Sequence, residues 1–424
     1  MSTSQRPRDV FAFWLVVAFV VLMYTIPSEW IAGLADVRLA LFASAGAAGL
    51  MLARRLLRFE PLYFDGLRGF ALVALGALAW ASVSWSVNPE VSQTTSFEML
   101  KSIAIYFAII NIVTTPRRLA IVCGAMVVAC MVTSIGAFNW YREGVNLVEG
   151  FRTRWLGTFG DPNYLAMDIG LTVPLGVAFI AHRSTSWSFR AVCAIAVVLA
   201  VIAIVLSHSR GGFLGLCTAM TVWAFREKRR MQAIILGIAF VIGLLLFAPA
   251  TYWQRNETIR EFHNEGSAQS RVYAWEMAAK ISSAHPVLGV GAGGFRFAWP
   301  LYATGPQVRS PLVAHNVFLD VVAELGFVGL LIFLVFTGAA VGGAFQASRD
   351  PSLAWLTRAI AASVAGYLVC QLFLSGYSLS PHLYVLLAVA ASAERMTRRG
   401  LAVLPQVAPI PLVPNEPIGQ RATA

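Results

Sequence analysis

Apolar runs of about 17–25 residues, the length that crosses a bilayer as a helix, alternate with short polar turns along most of the 424-residue chain. Twelve such segments are predicted: Val10–Ile26, Val37–Ala53, Gly69–Trp85, Phe97–Val113, Leu119–Phe138, Tyr164–Ala181, Ala191–Ser207, Gly212–Phe225, Met231–Ala250, Ala314–Phe345, Ile360–Tyr377 and Leu383–Ala393. None alternates apolar and polar residues with the period of two that a membrane β-barrel needs, so the fold class is all-α and polytopic. The stretch Ala314–Phe345 is longer than one crossing requires, so it should tilt or project from the bilayer. Between Thr251 and Val313 the pattern breaks into a polar-rich loop of a length unusual for a mere connection.

Charge fixes the orientation. Every second loop is basic: Arg6 and Arg8, then Arg54, Arg55, Arg58 and Arg68, then Arg117 and Arg118, then Arg183 and Arg190, then Arg226 to Arg230, then Arg349 and Arg358, then Arg395, Arg398 and Arg399. Cytoplasmic loops collect Lys and Arg in this way, so both termini are expected in the cytoplasm. The chain then divides into helices one to nine (1–250), a large outer loop (251–313), helices ten to twelve (314–395) and a tail (396–424) rich in proline, expected to be disordered. The first apolar run lacks a small-residue cleavage site after it, so it is expected to stay as a helix.

Composition agrees with a membrane protein. It is 58% hydrophobic and 12% charged, against about 25% charged in soluble domains. The net charge of +11 would suit a nucleic-acid binder, but the bases sit beside apolar helices, which points to topology and anionic lipid. Cys123, Cys130, Cys193, Cys217 and Cys370 all fall within apolar runs and read as small buried hydrophobes. No His, Cys or carboxylate cluster has metal-ligand spacing, so no metal or other cofactor is expected.

The outer loops carry cations that run against the topology bias: Arg142, Arg152, Arg154, Arg210 and Arg271 among them. Neighbouring glutamates account for some of these as solvated surface pairs. Arg210 sits in Ser207-His208-Ser209-Arg210-Gly211-Gly212, between two apolar helices. A guanidinium at that depth needs an anion or a wet cavity, although snorkelling to headgroups is the plainer account. Arg271 falls on the helical face of Ala274, Trp275, Ala278 and Ile281, opposite Glu276, Lys280 and Ser283, and should point inward. His315 opens the long helix on the same side of the membrane, and its near-neutral pKa suits a general base. Asn316, Asp320 and Glu324 recur at four-residue spacing and could orient the histidine or neutralise a buried arginine; Asp168 is a weaker case of the same kind. The glycines of Gly289-Val290-Gly291-Ala292-Gly293-Gly294 lie in no βαβ pattern and precede no Lys-Ser/Thr, so a nucleotide loop is rejected in favour of a shaped turn.

Together these residues resemble the bacterial O-antigen ligase and polymerase superfamily. Arg210 to Leu214 fits an R-x3-L element and His315 to Gly326 an H-x10-G element, with Arg271…Trp275…His285-Pro286…Gly289-Val290-Gly291 between them. The resemblance implies a GT-C-type inverting glycosyltransferase that needs no metal. It implies transfer of a glycan from undecaprenyl diphosphate at the periplasmic face of the inner membrane, with the lipid A–core oligosaccharide as acceptor in the ligase. In the polymerase the acceptor is another lipid-linked repeat, and in a third branch a protein side chain (protein O-oligosaccharyltransferase). His315 would be the base, Arg210 and Arg271 the diphosphate clamp, and Arg142, Arg152, Arg154 and Asn316 candidates for donor or acceptor binding. A secondary transporter would also have twelve helices and intramembrane acids, but its halves should match, and no internal repeat is present here.

Overall fold

A computed structural model describes residues 9–35, 37–226, 266–303, 311–351, 353–376 and 380–403. The apolar runs fold as helices: α1 (Val10–Thr25), α2 (Leu39–Leu57), α3 (Gly66–Ala81), α4 (Pro89–Ile112), α5 (Pro116–Glu143), α6 (Pro162–Gly170), α7 (Thr172–Ala181), α8 (Trp187–Leu206), α9 (Arg210–Arg226), α10 (Gly266–Ala284), α11 (Phe295–Tyr302), α12 (Val317–Ala347), α13 (Ala354–Gln371) and α14 (Pro381–Val403). No strand occurs among the described residues. Four starts show why the helices begin where they do: Asn88, Thr115, Asp161 and Ser186 each turn a side-chain oxygen onto the first free backbone N–H groups, which have no intrahelical acceptor.

Seven spans in the described residues are each long and apolar enough to cross a membrane, α6 and α7 counting as one. The protein is a multi-pass membrane protein. Of the twelve predicted segments, Met231–Ala250 lies outside the described residues, as does most of the tail. The segments expected at 212–225, 360–377 and 383–393 are present as α9, α13 and α14. The last of these continues to Val403, past the expected boundary at 395.

Large apolar side chains such as Phe42, Leu57, Phe70 and Trp187 are exposed on the bundle's outside, where hydrocarbon is the solvent. Inside, helices approach through small residues. α9 and α13 pass so closely at Gly215 and Gly366 that a Cβ on Gly215 would stand 2.7 Å from the Gly366 carbonyl oxygen.

At the basic end a buried ion cluster ties α3, α4 and α14 together. Asp65 accepts from Tyr106 Oη (2.5 Å), Tyr63 Oη (3.2 Å) and Arg68 Nη2 (2.7 Å). The other guanidinium nitrogen of Arg68 meets Glu394 at 2.6 Å, and Arg398 meets Glu394 at 2.5 Å. Arg68 and Glu394 are 7% and 2% exposed, and Arg68 is the cation shared by two buried carboxylates, Asp65 and Glu394. Arg68→Met, which leaves Asp65 without its cation, should therefore lower stability by about 3–5 kcal/mol, and Glu394→Ala, which leaves Arg68 its Asp65 partner, by less. Thermal unfolding in detergent, followed by circular dichroism, checks both.

At the opposite end α12 is broken. Gly326 has φ 67° and ψ −172°, a conformation open to glycine and costly for other residues. The expected tilt or projection of this long segment is thus a break after Leu325: Phe327 to Ala347 is about 30 Å of helix, one bilayer's hydrocarbon, and Val317–Leu325 stands beyond it. The turn His285–Gly294 fills the break. Phe327 N–H donates to the Pro286 carbonyl (2.8 Å), Val290 N–H to Ala323 (3.0 Å) and Gly291 N–H to Glu324 (2.9 Å). The Glu324 carboxylate accepts from Gly293 N–H (2.7 Å) and Phe295 N–H (3.3 Å), so it caps α11. The glycine-rich turn is a docking element, with a carboxylate of the chain itself where a nucleotide loop would hold phosphate.

Candidate functional site

Three segments far apart in sequence meet at this broken end. The first is the turn Ser207–Gly211. Ser209 caps α9, its Oγ accepting from Gly212 N–H at 3.1 Å. His208 lies in the left-handed region (φ 51°), its Nδ1–H bonded to the Leu206 carbonyl at 2.9 Å and its ring edge-on to Phe151. Arg210 is the first residue of α9 and half-buried. Gly211 packs against Phe373, which sets Arg210 beside the end of α13.

The second segment is the strap from Asn146 to Asn163, held to that turn by Arg152. Arg152 is 6% exposed, and each of its guanidinium nitrogens has an acceptor: Ser207 O (3.2 Å), Glu149 Oε1 (3.3 Å) and Asn163 Oδ1 (3.0 Å). Asn163 Oδ1 also accepts from Ser209 Oγ at 2.9 Å. Arg152 is thus engaged as a clasp. Arg154 ties the strap to itself, donating to the carbonyls of Asn146 (2.9 Å) and Gly160 (3.2 Å). Arg142 is exposed on the last turn of α5.

The third segment carries His315 and Asn316. Asn316 caps α12, accepting from Phe318 N–H (3.0 Å) and Leu319 N–H (3.2 Å), while its amide donates to the Leu372 carbonyl (3.3 Å). His315 N–H donates to Ser375 Oγ (2.7 Å), and Tyr164 of α6 donates to the Ser375 carbonyl (2.5 Å). Asp320 accepts from Gly376 N–H at 3.0 Å, so it holds the Ser375 turn in place. α10 is joined to this group by Trp275, which donates to the Ala314 carbonyl at 2.9 Å. Its buried face is Ala274, Met277, Ala278 and Ile281, with Glu276, Lys280 and Ser283 exposed as predicted. Trp275 flanks that face at 39% exposure, and Arg271 is half-buried one turn before it.

The imidazole of His315 stands in a cationic field. Burial, then Arg271, then Arg152 push its pKa down to about 4, with Asp161 opposing them. At neutral pH the ring is uncharged. Its Nδ1 is buried with no hydrogen-bond partner among the described residues. Arg271, Arg152 and Asp161 all act on one ring, so the structure brings His315, Asn316, Arg152 and Arg271 together, with Arg210 on the adjoining helix start. Among the described residues no three His, Cys, Asp or Glu side chains gather as a metal site.

Sequence reasoning missed Asp161, Asn163 and Ser375. The first two carried a signal, since Asp-Pro is a helix start and Asp161 caps α6. Ser375 carried none; its role comes entirely from the packing of α13 against α12. The turn that supports α10 and α11 depends on Gly289, whose φ is +66° and where a Cβ would stand 2.3 Å from the Glu324 backbone. Gly289→Ala should cost at least about 1–3 kcal/mol, read as faster amide hydrogen exchange across 285–303 with the basic-end helices unchanged.

The family profile "O-Antigen ligase" matches residues 195–334. Over 304 residues the chain is 23% identical to the "Exopolysaccharide production protein ExoQ" of Rhizobium meliloti, covering 66% of this chain and 67% of the relative. Over 303 residues it is 24% identical to the "Putative polysaccharide ligase" of Rickettsia felis, covering 68% and 70%.

Proposed function

We propose that this chain, whose residues 195–334 match the O-antigen ligase profile, is a member of that superfamily and a metal-independent, inverting GT-C-type glycosyltransferase of the bacterial inner membrane. Its donor is a glycan on undecaprenyl diphosphate and its acceptor a hydroxyl of the lipid A–core oligosaccharide, the product being lipopolysaccharide. The site opens to the periplasm and both termini lie in the cytoplasm, a placement supported by the basic loops. The observation that carries the reading is the buried His315 ring set in the field of Arg271 and Arg152 at the start of α12.

The acceptor oxygen attacks the anomeric carbon, its proton passes to the His315 imidazole, and the bond from that carbon to the diphosphate oxygen breaks on the opposite face. Undecaprenyl diphosphate leaves with the bonding electrons. Arg210 and Arg271 compensate the growing negative charge through paired N–H donors. Arg152 and Asn163 hold the Arg210 turn, and Asn316 fixes the start of α12.

The R. meliloti relative's name concerns exopolysaccharide production, which favours a second reading: a polymerase whose acceptor is another lipid-linked glycan. A protein side chain is the third acceptor class. In a deletion strain, free lipid-linked polymer with an unsubstituted core identifies the ligase, and a core bearing one repeat unit identifies the polymerase.

His315→Ala, at normal protein levels in membranes, should lose about 10²–10⁴ of transfer rate; retention of substantial activity removes the residue from the base role. Arg210→Ala should lose most activity and Arg210→Lys should recover only part, because lysine cannot make the paired contact. Purified protein given lipid-linked glycan and core acceptor should transfer undiminished in EDTA.

The pH profile follows from the depressed pKa. Below about 4 the free enzyme's ring is protonated and cannot accept, so kcat/KM should fall as pH drops through that value and stay flat above it. A bound diphosphate neutralises the field of Arg271 and raises the ring's pKa. The acidic limb of kcat should therefore lie at higher pH than that of kcat/KM.

A further inference from the structure

α11 and the turn before it bury one side and leave the other strangely apolar. Phe295, Ala298 and Trp299 are 2% exposed or less and pack against α10. On the other side Phe297, Leu301, Val287 and Leu288 are 47%, 69%, 60% and 39% exposed. A layer surrounded by water does not ordinarily display such a patch. From His285 to Ala303 there is one arginine, Arg296, and no aspartate or glutamate.

The patch has a fixed height. Phe327 N–H and Val328 N–H donate to the carbonyls of Pro286 and Val287 (2.8 and 3.4 Å), so the exposed turn meets the first residues of the α12 crossing. There Phe327 and Leu331 are 58% and 64% exposed toward lipid. The exposed Val287–Leu288 turn therefore sits at the level of the first residues of the α12 crossing, and α11 follows it directly after Gly294. Trp85, at the end of the α3 crossing, donates to the Leu288 carbonyl at 3.3 Å, and tryptophan favours the same boundary level.

We infer that α11 and the Val287–Leu288 turn are an interfacial anchor, seated in the lipid–water boundary of the leaflet on the site side with Arg296 at a phospholipid phosphate. The exposed apolar side chains enter the acyl boundary, and the lone cation suits an anionic headgroup. Through its packing on α10, the anchor holds Arg271 at headgroup depth. The inference rests on the chain crossing a membrane and on no step of the transfer reaction.

Photocrosslinking distinguishes the occupants. p-Benzoylphenylalanine is placed singly at Leu301, Phe297 and Val287, with exposed Glu276 on α10 as the water-facing control, and irradiated in native membranes. Mass analysis should find phospholipid adducts at the three anchor positions, about tenfold above the control, the contrast expected between a boundary-seated and a solvated side chain. Crosslinks to a second copy of the chain or to another polypeptide, or lipid adducts no higher than at Glu276, would overturn the inference. Because all three side chains are exposed, loss of folding at one position leaves the others to read, and transfer activity plays no part in the measurement.

Discussion

Backbone polar groups that reach the membrane boundary outside a continuous helix must find partners in protein, and the break at Gly326 shows how this chain meets that demand. The helix stops where its N–H groups turn to the carbonyls of Pro286 and Val287, and the carbonyls of Ala323 and Glu324 receive N–H groups from the same turn. Glu324 supplies a carboxylate to the two amides left over. Two elements on this side are tied to that exchange: α11 through its cap, and α10, with Arg271, through its packing on α11, to which Trp275 adds a second tie at Ala314. Lose the left-handed glycine and the turn has nowhere to sit.

Electrostatics then acts on a rigid frame. His315 is tied by its backbone to Ser375, which is tied in turn by Tyr164 and by the neighbouring amide's bond to Asp320. With its backbone so held, His315 stays within the field of the guanidinium groups, and its charge state is decided by what lies between them. The acids of the long helix serve this geometry. Asp320 and Glu324 accept backbone N–H groups here, where their spacing had suggested orienting the histidine or neutralising a buried arginine.

Much of the fold was legible because a continuous apolar run has few alternatives in hydrocarbon. Most described helices begin and end within about six residues of the expected segments, though α4 starts eight residues early and α14 runs ten residues on, and the Arg210 turn and the His315-Asn316 helix start stand where their motifs put them. The break in α12 was not legible, since Gly326 sits in an unbroken apolar stretch and its conformation is imposed by the turn docked on it. Nor was the division of labour among the arginines. Arg152 and Arg154 look alike in sequence, yet one clasps the Ser207 turn and the other only its own strap, because side-chain partners depend on which loops meet in space. The count of crossings is less direct still: α13 and α14 are helices buried largely by neighbours, where hydropathy speaks weakly, and α9 has only 17 residues.

Beneath the site lies a dry floor. Tyr24, Asp168, Tyr367 and His382 are each 2% exposed or less; Asp168 meets His382 at 3.2 Å and accepts from Tyr367 at 3.2 Å, while Phe159 stacks across Tyr24. His382 also packs edge-on to Tyr24 and beside Phe159, so α1, α6, α13 and α14 meet in one buried polar knot, and a change in any of its side chains is felt by all four helices.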